Sequence, residues 1–336
     1  MSGLIRLSFF IALLGVFLSC ASTQHKENDS AEWVKRGNIQ AQKGNSSAAI
    51  SFYEQALKED PDFVVAKRNL GIVLARRGQY KRSRVYLEKV LQSYPTDSEV
   101  YFYLGESHRG LADYYQASLF YRKGLRYSAG DIRIRKALGW TYFRMGEYKK
   151  AIKLLKKYTT ERPLDMQVRL ILASSYNQMQ RPLMALSLLK AFESSGLSKK
   201  YADNLARQNE KALLTSALAD SYRQLGQTEK AQSLYIKVLK VRPFYINALT
   251  GVARTELSMG RPEKAAKRLE RAVLASPNQP EPHYLLGKAY QKLDKKKSEH
   301  HYKQFLRLVE GQSRYSIMKK KSQDALLSLS TKNPKR

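Results

Sequence analysis

The chain has 336 residues, of which 60 are Lys or Arg and 29 are Asp or Glu, so its formal net charge is +31. An apolar content of 43% excludes an intrinsically disordered chain. The single cysteine excludes both an internal disulfide and a zinc site built from several cysteines. The charge excess makes anionic partners such as nucleic acid, lipid head groups and acidic polymers worth testing.

Residues 1–19 have the pattern of an export signal. Arg6 precedes an apolar stretch from Leu7 to Leu18, which is shorter than the roughly 20 residues that a bilayer-spanning helix needs. The only cysteine of the chain, Cys20, stands directly after this segment, and a polar stretch suited to a flexible tether follows over 20–29.

This arrangement resembles a bacterial lipoprotein signal, although such signals prefer Leu where this chain has Phe17. The resemblance implies cleavage before Cys20, acylation of its thiol, and, because Ala21 follows, sorting to the outer membrane facing the periplasm. Two alternatives remain open. Ser19 to Ala21 also fits an ordinary cleavage site, which would remove the cysteine, and a lone cysteine can simply be a small buried residue.

A repeat of about 34 residues runs through the rest of the chain. Its helix-ending prolines stand at intervals of 34, 68, 80 and 34 residues (Pro61, Pro95, Pro163, Pro243 and Pro277). A Leu-Gly or Leu-Ala pair recurs along this stretch, for example at Leu70-Gly71 and Leu172-Ala173. A turn often follows the pair, and then a small residue is followed four places later by a large one, such as Ala117 and Tyr121. The pattern predicts pairs of helices in which small residues allow close approach and large residues fill the core.

The spacing and residue classes resemble the tetratricopeptide repeat (TPR). The resemblance implies an all-α fold, a right-handed α-solenoid of about eight helix-turn-helix repeats closed by a C-terminal capping helix. Five repeats are predicted over 30–199 and three over 212–310, and the first and last repeats are 30–63 and 280–310. An inserted or lengthened helix is expected over 200–211, and a basic capping helix and tail over 311–336.

The sequence contains none of the common catalytic or cofactor motifs. A Gly-rich phosphate loop, a nucleophile elbow and an HExxH pair are all missing from the 336 residues. His108 takes a repeat position that usually holds an aromatic residue, which predicts packing in the core. We therefore expect no enzyme activity, no cofactor and no metal.

The TPR resemblance implies that places 2, 5, 9 and 12 of each repeat face a concave groove. Arg and aromatic side chains are enriched among them, as in binding hot spots. The residues predicted to bind a partner are Phe102, Arg109, Arg133, Lys136, Trp140, Asn177, Arg223 and Arg254. Other groove places hold Arg68, Glu99, Glu106, Asp220, Asn247, Tyr284 and Lys288. The competing interpretation is that Trp140 packs in the core.

Five lysines lie on one face of the second helix of the fourth repeat: Lys149, Lys150, Lys153, Lys156 and Lys157. Such a run is commonly a solvated face, and it can also be a docking patch for acidic lipid, glycan or protein.

Together these features predict a membrane-anchored scaffold of the cell envelope that binds a protein or peptide in its groove. Resemblance to envelope lipoproteins with these repeats implies a role in assembling a pilus, secretin, secretion system or outer-membrane protein. The alternative function is binding of lipopolysaccharide, peptidoglycan or acidic lipid through the basic convex face. A subunit that only scaffolds an exported enzyme is a third possibility. Nucleic acid is disfavoured because an exported protein rarely meets it and no nucleic-acid-binding fold is recognised.

Overall fold

A computed structural model describes residues 29–194, 205–312 and 315–331, and all regular structure in these ranges is helical. The all-α fold class is therefore confirmed over the described residues. Several predicted features lie wholly or partly outside these ranges: the signal over 1–19, the predicted lipidation site Cys20, most of the predicted tether, the first five residues of the predicted inserted helix (200–204) and the last five residues of the chain. None of the helices in these ranges has the length and apolar character needed to cross a bilayer.

The chain forms two compact units that divide between Thr141 and Tyr142, within helix α7. The amino-terminal unit starts with α1 over 29–42. It continues with α2 (Ser46–Glu59), α3 (Val64–Arg76), α4 (Tyr80–Ser93), α5 (Ser98–Gly110), α6 (Tyr114–Tyr127) and most of α7 (Ile132–Met145). Each helix from α2 to α5 packs against the next one, and α3 also packs against α5.

Ten further helices lie in the described residues of the carboxy-terminal unit. They are α8 (Tyr148–Glu161), α9 (Met166–Gln178), α10 (Pro182–Ser194), α11 (Leu205–Gln224), α12 (Thr228–Val241), α13 (Ile246–Ser258), α14 (Pro262–Ala275), α15 (Pro280–Tyr290), α16 (Lys295–Leu308) and α17 (Ser316–Thr331). Each helix packs against the next one, and α9, α11, α13 and α15 also pack against one another in succession. These first helices of the repeats therefore form one continuous surface, which we call the inner face of the unit. The same name is used for α3, α5 and α7 in the amino-terminal unit.

In repeats one to seven, the turn between the two helices contains one residue in the left-handed conformation. Glycine supplies it at Gly78 and Gly226, where φ is 76° and 75°. Ala112 and Gln180 take the same place in the third and fifth repeats with φ of 61° and 56°, a conformation that costs a non-glycine residue about 1–2 kcal/mol. The same turn therefore forms in these two repeats without the residue that favours it.

Several helices start at an aspartate whose side chain caps the helix. Asp97 accepts hydrogen bonds from the backbone N–H groups of Glu99 and Val100 at the start of α5, at 2.9 and 3.1 Å. Asp165 caps α9 in the same way through the N–H of Val168. Such caps satisfy donors that a helix leaves unpaired and stabilise it by about 1 kcal/mol.

The core of several repeats is a tyrosine lying across a glycine. The ring of Tyr121 on α6 is fully buried and covers Gly105 on α5 so closely that a Cβ there would overlap the ring. Tyr235 covers Gly251 of the next repeat's first helix in the same way. The predicted large core residues are confirmed as buried: Tyr53, Leu87, Tyr121, Leu155, Leu189, Tyr235 and Leu269.

The hydroxyl of the buried tyrosine reaches the inner face. Tyr121 donates to Oε1 of Glu106 at 2.5 Å, and Tyr235 donates to Oδ1 of Asp220 at 2.5 Å. Tyr53 donates to Oδ1 of Asn38 at 2.8 Å. Burial, followed by the charge of Glu106, raises the pKa of Tyr121, so its hydroxyl stays protonated and remains a donor. The tyrosine therefore joins the core to the polar groups of the inner face.

Substituting Gly105→Ala is expected to lower the free energy of unfolding by about 1–3 kcal/mol, because the new methyl group displaces the buried Tyr121 ring. Thermal unfolding followed by circular dichroism measures this change. Gly130→Ala is the matched control: Gly130 lies in a turn with open space around it, so a change within about 0.5 kcal/mol is expected. Equal effects of the two substitutions would contradict this account of the core.

Substituting Tyr121→Phe is expected to lower the free energy of unfolding by about 1–2 kcal/mol, because it removes one hydrogen bond to a carboxylate and leaves the ring in place. Tyr302→Phe is the control, since Tyr302 is equally buried and its hydroxyl has no hydrogen-bond partner within the described ranges. Denaturant unfolding of both variants measures the difference. If Tyr302→Phe lowered the free energy of unfolding as much as Tyr121→Phe, the hydrogen bond from Tyr121 to Glu106 would not be the cause of the loss.

Candidate functional site

The inner face of the amino-terminal unit carries two pairs of an arginine and an aromatic ring. The Arg109 guanidinium lies 5.2 Å from the ring centroid of Trp140, and Tyr114 meets the same indole edge-on at 5.8 Å. Arg109 forms an ion pair with Glu106, and its Nε donates a hydrogen bond of 3.1 Å to Oε1 of Glu106. Trp140 is half-buried. It is therefore neither fully packed in the core nor fully exposed, and it presents part of its ring at the surface.

The second pair is formed by Arg133 and Phe102. The Arg133 guanidinium lies 5.1 Å from the ring centroid of Phe102, and its Nη2 forms a 2.8 Å ion pair with Asp131. The Arg133 side chain is 51% exposed, so one face of the guanidinium remains accessible. Lys136 lies on α7 and is half-buried. Four of the five predicted residues on this face thus meet as two cation–π pairs, whose geometry favours planar and acidic ligand groups.

The inner face of the carboxy-terminal unit forms an open cavity of about 600 Å³. The three residues predicted there, Asn177, Arg223 and Arg254, all line this one cavity although they come from α9, α11 and α13. Other lining residues are Ser174, Gln178, Gln180, Asp220, Gln224, Asn247, Thr250, Gly251, Glu281 and Met318.

The charged groups of this cavity are partly neutralised. Arg254 donates to Oε1 of Glu281 from both Nε and Nη2, at 3.0 and 2.6 Å. Burial raises the pKa of the Asp220 carboxyl, and the hydrogen bond from Tyr235 and the charge of Arg223 oppose that rise. Both acids of the cavity are therefore already bonded to a neighbour.

Three polar atoms of residues that line the cavity are buried and have no hydrogen-bond partner among the described residues. They are the acceptors Asn177 Oδ1 and Gln224 Oε1 and the donor Arg223 Nε. The Nδ2 group of Asn177 is held by Ser221 Oγ at 3.2 Å. Buried polar groups without partners are uncommon in folded proteins, and a ligand that bonds to these atoms must supply both a donor and an acceptor.

A second cavity of about 700 Å³ adjoins the first and shares Gln178, Arg223, Arg254 and Met318 with it. We call the two cavities together the carboxy-terminal groove. Its additional lining includes Leu257, Pro262, Tyr284, Leu285, Lys288, Lys292, Ile317 and Lys321. Three of the lining residues, Ile317, Met318 and Lys321, belong to α17. The sequence predicts this helix only as a cap, because it follows the last repeat and has no register that would place its side chains on the inner face.

The predicted basic patch lies on α8, away from these cavities. Its five lysines, Lys149, Lys150, Lys153, Lys156 and Lys157, are all exposed, while the opposite side of the helix is buried. Lys150 forms an ion pair of 3.2 Å with Glu147. The search for three or more His, Cys, Asp or Glu side chains that could hold a metal ion finds no such group in the described ranges.

Three models described as tetratricopeptide repeat match the chain, over residues 40–104, 134–163 and 210–273. The chain is similar in fold to a tetratricopeptide repeat protein from Parabacteroides merdae, with 15% identity and a TM-score of 0.52 over 90% of this chain and 99% of that one. It is also similar to a chain of the APC/C hetero-tetramer Cut9–Hcn1, with 14% identity and a TM-score of 0.54 over 84% of this chain and 52% of that one. A search of curated proteins finds no match.

These similarities agree with the helix pairs, the glycine turns and the stacked first helices, and the predicted α-solenoid fold is confirmed. Tetratricopeptide-repeat models therefore match segments in both units of the chain, and the similar solved structures share its fold.

Proposed function

We propose that the chain is a lipid-anchored scaffold of the bacterial cell envelope that binds a protein or peptide partner on its inner faces. The observation that carries the proposal is the carboxy-terminal groove, where Asn177, Arg223 and Arg254 line one open cavity with unpartnered donors and acceptors. The arginine–aromatic pairs around Phe102 and Trp140 add a second surface with the composition of a binding hot spot.

The envelope location is supported by the sequence pattern alone. The apolar stretch before Cys20 and the polar tether after it fit an exported protein whose amino terminus is acylated and held at the outer membrane, with the repeats in the periplasm. Several acyl chains give durable anchoring, whereas one chain binds only marginally. Assembly of a pilus, secretin, secretion system or outer-membrane protein is the role that we propose for such a scaffold.

A second candidate function is binding of an anionic envelope polymer or acidic lipid. The five exposed lysines of α8 favour it, because they present several charges on one helix face and, among the described residues, only Lys150 forms an ion pair. Binding through such a face should weaken steeply as salt is added, since exposed charges are screened within about 10 Å at 0.1 M ionic strength. A groove complex with apolar and buried contacts should weaken much less.

Crosslinking in intact envelopes followed by purification of the full chain is expected to recover one specific protein partner. Recovery should fall by about tenfold or more in at least one inner-face variant, either Arg133→Ala with Trp140→Ala or Asn247→Trp, because each removes or fills a binding surface. Asn247 is exposed at the rim of the cavity, so the added indole occupies the groove without entering the core.

Lys153→Ala with Lys156→Ala is the matched control and should leave recovery unchanged, with circular dichroism confirming that all variants fold. Recovery that is lost only in this lysine variant would favour the anionic-polymer function. Recovery that is unaffected by all three variants would contradict binding on the inner faces.

Mass spectrometry of the membrane fraction is expected to find a mature amino terminus at acylated Cys20. Cys20→Ser should release the chain from membrane pellets into the soluble fraction, because the acyl chains are then missing. An unacylated amino terminus after Ala21 in the native protein would overturn the lipid anchor while leaving the groove proposal intact.

A further inference from the structure

The second cavity of the carboxy-terminal groove concentrates positive charge. Five cations line it, and no carboxylate does so within the part of the chain that the structure describes (Arg223, Arg254, Lys288, Lys292 and Lys321). These cations come from four different helices, α11, α13, α15 and α17, and from the turn after α15. The stacking of the repeats therefore brings together charges that are far apart in the sequence.

Neighbouring carboxylates neutralise only part of this charge. Glu281 is bonded to Arg254, and Asp220 accepts the hydroxyl of Tyr235. No carboxylate of the described residues lies within salt-bridge distance of Lys288 or Lys321. Burial lowers the pKa of Lys288, and the positive charges of Arg254 and Lys321 lower it further. An anion bound between these groups would relieve their repulsion.

The unpartnered atoms around the first cavity indicate which kind of anionic ligand fits. Asn177 Oδ1 and Gln224 Oε1 need N–H donors, and Arg223 Nε needs an acceptor. Asn177 is 5% exposed, so bulk water does not satisfy its oxygen freely. A peptide backbone supplies N–H donors and carbonyl acceptors together, whereas a phosphate group or a lipid phosphate chiefly accepts.

The groove also has an apolar wall. Leu257 and Met318 are half-buried, and Ile317 is 71% exposed on α17. Exposed apolar side chains at the rim of a charged cavity suit a ligand that carries apolar residues beside its charged ones.

We propose that the carboxy-terminal groove binds an extended, acidic segment of a protein partner. The backbone of that segment lies over Asn177 and Gln224, its side-chain carboxylates face Arg223 and Lys288, and an adjacent apolar side chain packs on Ile317. This inference rests on the proposed function and adds the chemistry of the partner. Charge complementarity favours an acidic peptide at this site over a neutral or basic one.

Selection of random twelve-residue peptides on the full chain tests this chemistry. The selected peptides, synthesised with blocked ends so that only side-chain carboxylates are charged, should be enriched in Asp and Glu. Fluorescence polarisation should show a Kd raised about tenfold or more by Arg223→Gln and by Lys288→Gln, as expected for the loss of one hydrogen bond to a charged group. Lys288→Glu should weaken binding further and allow basic peptides to bind.

Lys264→Gln with Lys267→Gln is the control, because both lysines are exposed on α14 and neither lines the groove. This variant should bind within about twofold of the native chain, since an exposed charge outside the contact contributes little. Titration with inorganic phosphate, and with phosphatidylcholine vesicles containing phosphatidylglycerol, should show no binding that depends on Arg223 and Lys288.

Each other outcome has a distinct meaning. Selected peptides without acidic enrichment that are nevertheless lost in Asn247→Trp would overturn this inference and leave the proposed function standing. Peptide binding that is unchanged in every inner-face variant would overturn both this inference and the proposed function. Binding of phosphate or vesicles with the same dependence on Arg223 and Lys288, without peptide binding, would replace the acidic segment by an anion or a lipid.

Discussion

The contact between a buried tyrosine and a glycine on the facing helix determines both the packing and the chemistry of these repeats. The absence of a side chain at Gly105 lets the Tyr121 ring pack directly against α5. Because the helices are then close, the phenol spans the repeat and its hydroxyl emerges at Glu106 on the other side. One residue therefore fills the core and also fixes a polar group on the surface.

The large core residue of a repeat correlates with the residue type at the ninth place of that repeat, which lies on the inner face. Where the buried residue is Tyr53, Tyr121 or Tyr235, the ninth place of the same repeat holds an acceptor, Asn38, Glu106 or Asp220, and the hydroxyl bonds to it. Repeats with leucine in the core hold Ile72, Trp140, Ser174 or Arg254 at the ninth place. The eighth repeat departs from this rule, since it combines Tyr302 with Lys288. A lysine cannot accept the hydroxyl, so Lys288 is not held by the core as Glu106 is.

Features that depend on the repeat register can mostly be predicted from the sequence. The helix pairs, the buried large residues and the common cavity of Asn177, Arg223 and Arg254 all depend on spacing, which can be counted. The contribution of α17 could not be predicted, because Ile317 and Lys321 lie beyond the last repeat and their neighbours depend on how that helix packs. The ion pairs of Arg109 and Arg133 were also not predicted, since the register places a cation on a face without showing which carboxylate reaches it.

Basic residues therefore have different surroundings on the two inner faces: some are paired with carboxylates and others are not. The net charge of a unit does not show this difference. Residues 142–336 hold 39 of the 60 Lys and Arg but only 16 of the 29 Asp and Glu. On the amino-terminal unit, Arg68, Arg109 and Arg133 each form an ion pair with a carboxylate, and Arg109 and Arg133 also lie on aromatic rings. That face is arranged before any ligand arrives, which lowers the entropy lost on binding. In the carboxy-terminal groove, Lys288 and Lys321 have no such carboxylate among the described residues, so their positive charge stays available to attract an anionic group.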